Sequence, residues 1–391
     1  MRHQIKKQFF LLTWSIFVFF AVFTGLFLYT NFINISPSSS LGRDYLAFWS
    51  ASKLTLAGHP ELAFDQDQLR SVARSVDKNI GIFGWFYPPT FQLLIIPIGI
   101  IEYRISFLAF IACTFLLFII SARKIQPDNN YIFAILGFPA IYVAVTFGQN
   151  SLLTATLAML GLFYLNKNQV LAGALIGLLT IKPHLALLFP MALIIGGYWR
   201  SLITAGVTAI LMIVLSIIEL GTATWQAFLS NISVATSQLE SGLLRWNVMT
   251  STFANVRLLH GSTSLAYTLH IAMACIFTSG MIYVWRSSKD MALRGASLAL
   301  ATLNISPYMY DYELTWLAIP LLFLTARAKT KGWDKNETTI LALVWTFPLV
   351  NALLELTELL KFSIAPIVEL SALILIIKKS HREAFTKPIN N

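Results

Sequence analysis

Residues 9–29 read FFLLTWSIFVFFAVFTGLFLY, an apolar run without a single charged side chain. A membrane-spanning helix needs about 20 such residues, because each residue adds about 1.5 Å and the hydrocarbon core is about 30 Å thick. A cleavable signal would have a shorter apolar core that ends in small residues at alternate positions. Here a polar stretch, 31–36, follows instead, which predicts an uncleaved first span.

The rest of the chain has the same character as this run. Of 391 residues, 57% are hydrophobic and only 12% are charged, and the mean hydropathy is +0.69. Soluble domains carry about 25% charged residues, and so apolar a soluble protein would expose large aggregating patches. The composition therefore predicts an all-α, polytopic membrane bundle that forms a single integral membrane domain over 1–391.

Eleven further apolar runs are separated from one another by charged residues, prolines or asparagines. Together with 9–29 they give about twelve predicted spans. The eleven lie at about 105–122, 131–148, 151–166, 169–182, 184–198, 202–219, 263–285, 291–306, 312–327, 339–356 and 362–377. The chain then divides into a first span (1–29), an outer loop (30–104), spans two to seven (105–219), a second outer loop (220–262), spans eight to twelve (263–377) and a tail (378–391).

The net charge of +10 is distributed in small clusters between the apolar runs. These clusters fall in alternate loops, as the positive-inside rule requires of cytoplasmic loops. This distribution predicts that both termini are cytoplasmic, and it argues against a nucleic-acid partner. Cys113 and Cys275 lie inside apolar runs, where no disulfide or metal-ligand spacing is present.

The first outer loop contains two predicted helices. Residues 44–57 place aromatic and apolar side chains at helical spacing and are followed by Gly58, a common helix terminator. Asp65 and Gln68 resemble a capping box at the start of a second helix. Its apolar stripe consists of Leu69, Val72, Ala73, Val76 and Ile80. We expect both to be amphipathic helices that lie along the membrane interface.

Five polar clusters fall at the predicted outer side of the membrane, where charged groups are costly and therefore candidates for function. They are Arg43-Asp44, Tyr87-Pro88-Pro89, Gly148-Gln149-Asn150, Lys182-Pro183-His184 and Tyr310-Asp311-Tyr312-Glu313. Their convergence on one face predicts a site at the outer surface of the membrane.

Each cluster also has a purely structural interpretation. Asp44 could cap the first interfacial helix, and Gln149-Asn150 could form an ordinary helix–helix turn. Lys182 could be a lysine that extends its ammonium group from a helix end to the interface. His184 could be a structural hydrogen-bonding residue.

Several of these motifs resemble those of glycosyltransferase family 87 over roughly residues 40–210. In the rest of the chain only the layout of the apolar segments is similar. The similar segments are Gly42-Arg43-Asp44 with Trp49, Ala51 and Gly58, then Ala63-Phe64-Asp65, Tyr87-Pro88-Pro89, Gly148-Gln149-Asn150 and Ile181-Lys182-Pro183-His184. The family consists of polytopic enzymes of the GT-C fold and includes α-mannosyltransferases that use polyprenyl-phosphate-mannose. The resemblance implies that Asp44 corresponds to the catalytic aspartate of the first outer loop.

The chemistry of such a reaction fits these residues. Inverting transfer needs a carboxylate to accept the acceptor's hydroxyl proton, for which Asp44 is the candidate base. The departing phosphate needs cations or hydrogen-bond donors rather than an acid. Candidates on the donor side are Lys182 and His184 first, then Arg43, Arg245 and Arg257, with Gln149, Asn150 and Tyr87; Asp311, Tyr312 and Trp49 are acceptor-side or supporting candidates.

We therefore expect a hexosyltransferase, with mannose as the expected sugar, in a bacterial inner membrane with its site on the outer face. It would use a polyprenyl-phosphate sugar and a lipid or glycan acceptor, amid membrane lipids, without a metal or other cofactor. The sequence departs from the family near Tyr308, where some members have histidine; whether Asp311 or Tyr312 replaces it is open. The alternatives are a secondary transporter, whose site would lie at the bilayer midplane, and a non-catalytic lipid-binding scaffold of this fold.

Overall fold

The computed structural model describes residues 42–81, 84–357 and 362–385. The predicted first span at 9–29 and the end of the predicted tail lie outside them. Within the described ranges the chain is α-helical, short 3-10 turns aside, and its only β-type pairing is an isolated bridge between Met249 and Tyr310. The all-α prediction is thus confirmed for this part of the chain.

The described chain contains seventeen α-helices, which we number in order. They are α1 (Arg43–Leu56), α2 (Gln66–Ala73), α3 (Pro89–Ile95), α4 (Tyr103–Ile125), α5 (Asn129–Leu136), α6 (Pro139–Phe147), α7 (Ser151–Tyr164), α8 (Gln169–Gly177), α9 (Pro183–Ala186), α10 (Phe189–Gly196), α11 (Trp199–Ser241), α12 (Thr252–Leu258), α13 (Thr263–Ser287), α14 (Met291–Leu303), α15 (Ala318–Lys331), α16 (Lys335–Thr357) and α17 (Ala365–Phe385). The 3-10 helices are Pro60–Phe64, Ile96–Ile100, Leu178–Ile181, Trp246–Val248 and Asp311–Leu317.

Three described helices, α4, α11 and α13, are long and apolar enough to cross a membrane. The pair α5 and α6 meets the same criterion only as one broken span, bent by 49°. Several other predicted spans coincide with apolar helices of 10–17 residues. The chain is therefore a helical membrane protein, and the count of twelve spans stays a prediction.

Helix α11 extends well into the segment predicted as the second outer loop. It is interrupted at Gly221, where φ is +79°, a conformation that side-chain-bearing residues rarely adopt. The helix packs against α3 and the 3-10 turn Pro60–Phe64, and beyond the break Phe228 contacts Phe64. Asn231 there donates a 2.8 Å hydrogen bond to the carbonyl oxygen of Trp85. The second half of α11 thus packs beside the segment predicted as the first outer loop.

The two predicted helices of the first outer loop both form, with different surroundings. Helix α1 begins and ends one residue before its predicted bounds, and α2 is capped by Asp65, whose carboxylate accepts from the backbone N–H groups of Asp67 and Gln68. Helix α1 does not have the exposed face expected of an amphipathic helix, and its position relative to the membrane interface stays a prediction. All its residues from 45 to 52 are buried, because aromatic side chains from the segment before α3, from α3 and from α4 pack against it. These are Trp85, Tyr87, Phe91, Tyr103, Phe107 and Phe110.

Candidate active site

Asp44 lies in the first turn of α1 but does not cap it. The N-cap residue is Gly42, which has no side chain to accept a capping bond. The Oδ2 atom of Asp44 instead accepts a 2.6 Å hydrogen bond from Nε2 of Gln149. The capping interpretation is therefore wrong, although the helix N-terminus still favours a negative charge at this position.

Two glycines allow the segments of Asp44 and Gln149 to approach. Gly42 and Gly148 both have positive φ, +64° and +70°. A Cβ atom at Gly42 would lie 2.4 Å from Cε2 of Phe107, and one at Gly148 would lie 2.5 Å from Cβ of Tyr45. Any larger residue would therefore separate α1 from the turn between α6 and α7.

Gln149 is held at both ends of its side-chain amide. Its Oε1 atom accepts a 2.8 Å hydrogen bond from the hydroxyl of Tyr87, while Nε2 donates to Asp44. Its side chain is buried. Gly148-Gln149-Asn150 does form a helix–helix turn, since Gly148 ends α6 and Asn150 precedes α7. The turn interpretation is thus confirmed, and the role of Gln149 and Asn150 in a site stays a prediction.

Lys182 lies at a break between two short helices, where Pro183 begins α9. Its side chain does not extend to the interface, because the residue is only 6% exposed. The ammonium group forms an ion pair with Glu313 and donates a 3.2 Å hydrogen bond to Oδ1 of Asn150. It also lies 5.4 Å and 5.1 Å from the ring centres of Tyr87 and Tyr312, within the range of cation–π attraction.

Glu313 contacts the candidate site residue Lys182, although the sequence analysis does not select it. It was part of the cluster Tyr310-Asp311-Tyr312-Glu313, from which only Asp311 and Tyr312 were proposed as site residues. Its side chain is 1% exposed. The available signal was Lys182 itself, because a buried ammonium needs an anionic partner.

Two tyrosines lie near Glu313, Tyr312 in the same 3-10 helix and Tyr310 directly before it. The rings of Tyr310 and Tyr312 stack at 5.3 Å, with 8° between their planes, and both side chains are partly exposed. Burial raises the pKa of Tyr310, and the charge of Asp44 raises it further, whereas the charge of Arg245 lowers it. Asp44 and Arg245 therefore both lie within electrostatic range of this tyrosine pair.

Burial also raises the pKa of Asp44. The hydrogen bond from Gln149 and the charges of Arg43 and Lys182 oppose this effect without cancelling it. Asp44 as a whole residue is partly exposed. These surroundings suit a carboxylate that exchanges a proton.

The remaining candidates have different surroundings. Arg257 donates to the carbonyl oxygens of Gly261 and Glu240, at 2.8 and 3.2 Å, and lies over the ring of Trp246. The Trp49 indole donates to the Ile101 carbonyl oxygen at 3.0 Å and so secures α1 in the bundle. His184 is partly exposed, and its Nε2 atom is buried without a hydrogen-bond partner in the described structure. Asp311 is partly exposed beside the two tyrosines.

The structure thus brings together Asp44, Tyr87, Gln149, Lys182 and Tyr312, a group of side chains that we call the Asp44 cleft. It gives Arg257 and Trp49 structural contacts elsewhere. Within the described ranges, no group of three or more His, Cys, Asp or Glu side chains could hold a metal ion. Independence from a metal stays a prediction.

The family model for glycosyltransferase family 87 matches residues 85–307, more than half of the chain. No curated protein and no solved structure matches the chain. The matched range includes Tyr87, Gln149, Asn150 and Lys182, and it begins after Asp44 and ends before Glu313. With a match of this extent, the chain belongs to glycosyltransferase family 87.

Proposed function

We propose that this membrane glycosyltransferase transfers a hexose, with mannose as the first sugar to test, from a polyprenyl-phosphate carrier to a lipid or glycan acceptor on the outer face. Membership of the family and the apolar helices support a membrane glycosyltransferase. The single observation that carries the mechanistic part is the Asp44 carboxylate, which Gln149 contacts and which lies within electrostatic range of the buried Lys182 ammonium.

In the proposed reaction Asp44 acts as the general base. It accepts the proton of the acceptor hydroxyl while the acceptor oxygen forms a bond to the anomeric carbon. The bond from that carbon to the phosphate oxygen breaks, and the phosphate leaves with the bonding electrons. Attack opposite the leaving group inverts the anomeric configuration. Positive charge develops on the sugar ring in the transition state, as in glycoside hydrolysis.

The donor phosphate would be bound on the Lys182 side of the cleft. Its leaving group needs positive charge or hydrogen-bond donors rather than an acid. Lys182 is close enough to Asp44 for its charge to lower the pKa of that carboxyl, so the base and the cation lie on one cleft. Arg43, Arg245 and His184 are further candidates for contacts with the phosphate.

The test is turnover by purified wild-type protein and Asp44→Asn with radiolabelled polyprenyl-phosphate sugars. Asparagine retains an oxygen that can accept from Gln149, and Gly42 remains the N-cap, so folding should be unaffected. A general base contributes typically about 10²–10⁴-fold to the rate, and the variant should lose that factor while it binds the donor normally. Asp65→Asn is the matched control, because asparagine caps a helix about as well as aspartate.

Full turnover by Asp44→Asn would end the assignment of the base. Transfer from nucleotide sugars, with none from any polyprenyl-phosphate sugar, would end the assignment of the donor. Release of the product with retained configuration would exclude the single-displacement mechanism.

A further inference from the structure

The ion pair between Lys182 and Glu313 is buried on both sides. The lysine side chain is 7% exposed and the glutamate side chain 1% exposed. The two residues are 131 positions apart in the sequence. Lys182 lies at the break before α9, and Glu313 is in the 3-10 helix Asp311–Leu317, which carries Tyr312 and directly follows Tyr310. The pair therefore connects two segments that are far apart in the sequence.

A buried pair of this kind fixes the position of its cation. Removing two charges from water is costly, and the cost is recovered only when each has a partner of good geometry. Lys182 has two such partners, Glu313 and Asn150, and its ammonium lies near the faces of Tyr87 and Tyr312. Glu313 thus holds the ammonium in place and also neutralises much of its charge.

These contacts leave two hydrogen-bonding atoms around Lys182 without a partner. Among the described residues, Oε2 of Glu313 and Nδ2 of Asn150 are both buried without a hydrogen-bond partner. A buried polar atom without a partner costs free energy, and such atoms mark places where a ligand or water can bind. Nδ2 of Asn150 is a donor next to the Lys182 ammonium, which suits an incoming anion.

We propose that Glu313 is a positioning residue that sets how tightly the cleft holds the donor phosphate. It keeps Lys182 at a fixed point and reduces the attraction of that lysine for anions. The phosphate carrier is then bound strongly enough to react and weakly enough to leave after transfer. This inference rests on the proposed function, since it requires that a polyprenyl phosphate binds in this cleft.

The charge of the Lys182–Glu313 pair differs between the wild type and three variants, and affinity for an anion should follow that charge. The pair is neutral in the wild type and in Lys182→Met/Glu313→Gln, positive in Glu313→Gln, and negative in Lys182→Met. Affinity for an anionic lipid should be highest in Glu313→Gln, next in the wild type, lower in the double variant and lowest in Lys182→Met. We expect a roughly tenfold gain in Glu313→Gln, the size of one charge-assisted hydrogen bond.

The kinetics should separate this role from a merely structural one. In Glu313→Gln the KM for the donor should fall together with kcat, because the phosphate product also leaves more slowly. A variant that was only partly folded would lose apparent kcat with an unchanged KM. Glu369→Gln is the matched control, since Glu369 is also a buried carboxylate that an amide contacts, with Asn304 at 2.7 Å.

The experiment is binding of a short-chain polyprenyl monophosphate to the purified full-length protein, for the four proteins and the control. Melting temperatures are measured alongside, and Lys182→Met alone should melt below the double variant because it leaves a buried charge without a partner. If Glu313→Gln cannot be purified, Lys182→Met against the double variant still tests the effect of the Glu313 charge.

Equal or weaker binding by Glu313→Gln would overturn the inference, and so would equal binding by Lys182→Met and the double variant. In either case binding by the wild type would leave the proposed function intact. If the wild type does not bind the polyprenyl phosphate at all, the proposed donor is wrong and the inference falls with it.

Discussion

Gln149 donates a 2.6 Å hydrogen bond to the carboxylate of Asp44, a residue 105 positions earlier in the chain. The other end of the same amide accepts from the hydroxyl of Tyr87. If the amide rotated by half a turn, its Oε1 atom would face the Asp44 carboxylate, which cannot donate a hydrogen bond when it is ionised. The orientation of the proposed base is thus determined by the turn between α6 and α7, which only Gly148 allows to lie so close to α1.

Gly148→Ala should therefore damage the site more than its position in a turn suggests. A positive φ costs an alanine roughly 1–2 kcal/mol, and overlap with Tyr45 adds a packing cost of about 1–3 kcal/mol. The overlap would move Gln149 away from Asp44, so turnover should fall at least several-fold. Gly197→Ala is the matched control, because Gly197 has a similar φ of +74° and no atom lies within 4 Å of the position that its Cβ would take. Equal effects of the two substitutions on melting and turnover would show that the close approach is unimportant.

A second prediction concerns the charged cluster at the opposite end of the bundle. Arg327 and Lys331 of α15 both pair with Asp290 and Glu383, at 2.6–3.0 Å. Burial would raise the pKa of Asp290 and of Glu383, but hydrogen bonds and charges from Lys331 and Arg327 outweigh it, so that both pKa values lie below the ordinary ones.

The sign of the resulting pH dependence follows from these lowered values. A carboxylate whose pKa is lower in the folded state stabilises the protein above its unfolded pKa, and the contribution is lost as the pH falls through the folded pKa. Asp290→Asn should therefore lower the melting temperature at pH 7, by an amount equivalent to about 1 kcal/mol for partly exposed pairs. The difference from wild type should shrink as the pH falls below about 4. Asp67→Asn, in an exposed pair with Arg70, should have no such effect; a constant difference at all pH values would contradict the role of ionisation.

The proposed orientation can be tested with single cysteines in a background that lacks Cys113 and Cys275. Ser71 and Asn336 are both exposed and lie in segments predicted to face opposite sides of the membrane. An impermeant maleimide should label Ser71→Cys in intact cells and Asn336→Cys only after the membrane is opened. Labelling of Asn336→Cys from outside would reverse the orientation and would place the Asp44 cleft on the cytoplasmic side.

Local features of the fold could be predicted from the sequence because local patterns determine them. The bounds of α1 follow from the glycines at its two ends, and the start of α2 follows from Asp65. The surroundings of α1 could not be predicted in this way. Lipid tails and a protein interior are both apolar, so a hydrophobic face does not indicate which of them it contacts.

The site was predictable in part for a related reason. Polar residues at the ends of apolar runs are costly unless they are paired, and this cost selects Asp44, Tyr87, Gln149 and Lys182 as candidates, which the structure brings together. Which residue pairs with which depends on packing between segments far apart in the sequence. Glu313 as the partner of Lys182 was therefore missed, and Arg257 was included although its donors are bound by backbone carbonyl oxygens.

The pH dependence of the rate provides a direct test of Asp44 and of its hydrogen bond. A general base must be ionised, and burial raises the pKa of Asp44 while Gln149 lowers it. The acid limb of kcat/KM reports the free enzyme and should lie above the ordinary range of aspartate. In Gln149→Leu the limb should move to still higher pH, because the hydrogen bond that stabilises the ionised form is lost.

Tyr87→Phe is the graded control for this measurement. It removes the hydroxyl that orients Gln149 but retains the amide donor, so its acid limb should fall between those of wild type and Gln149→Leu. Stopped assays of donor consumption across the pH range, at donor concentrations far below KM, give the three profiles. If the acid limb is the same in all three proteins, the titrating group is not the carboxylate that Gln149 contacts. Asp44 would then remain in the site only as a structural neighbour of that amide.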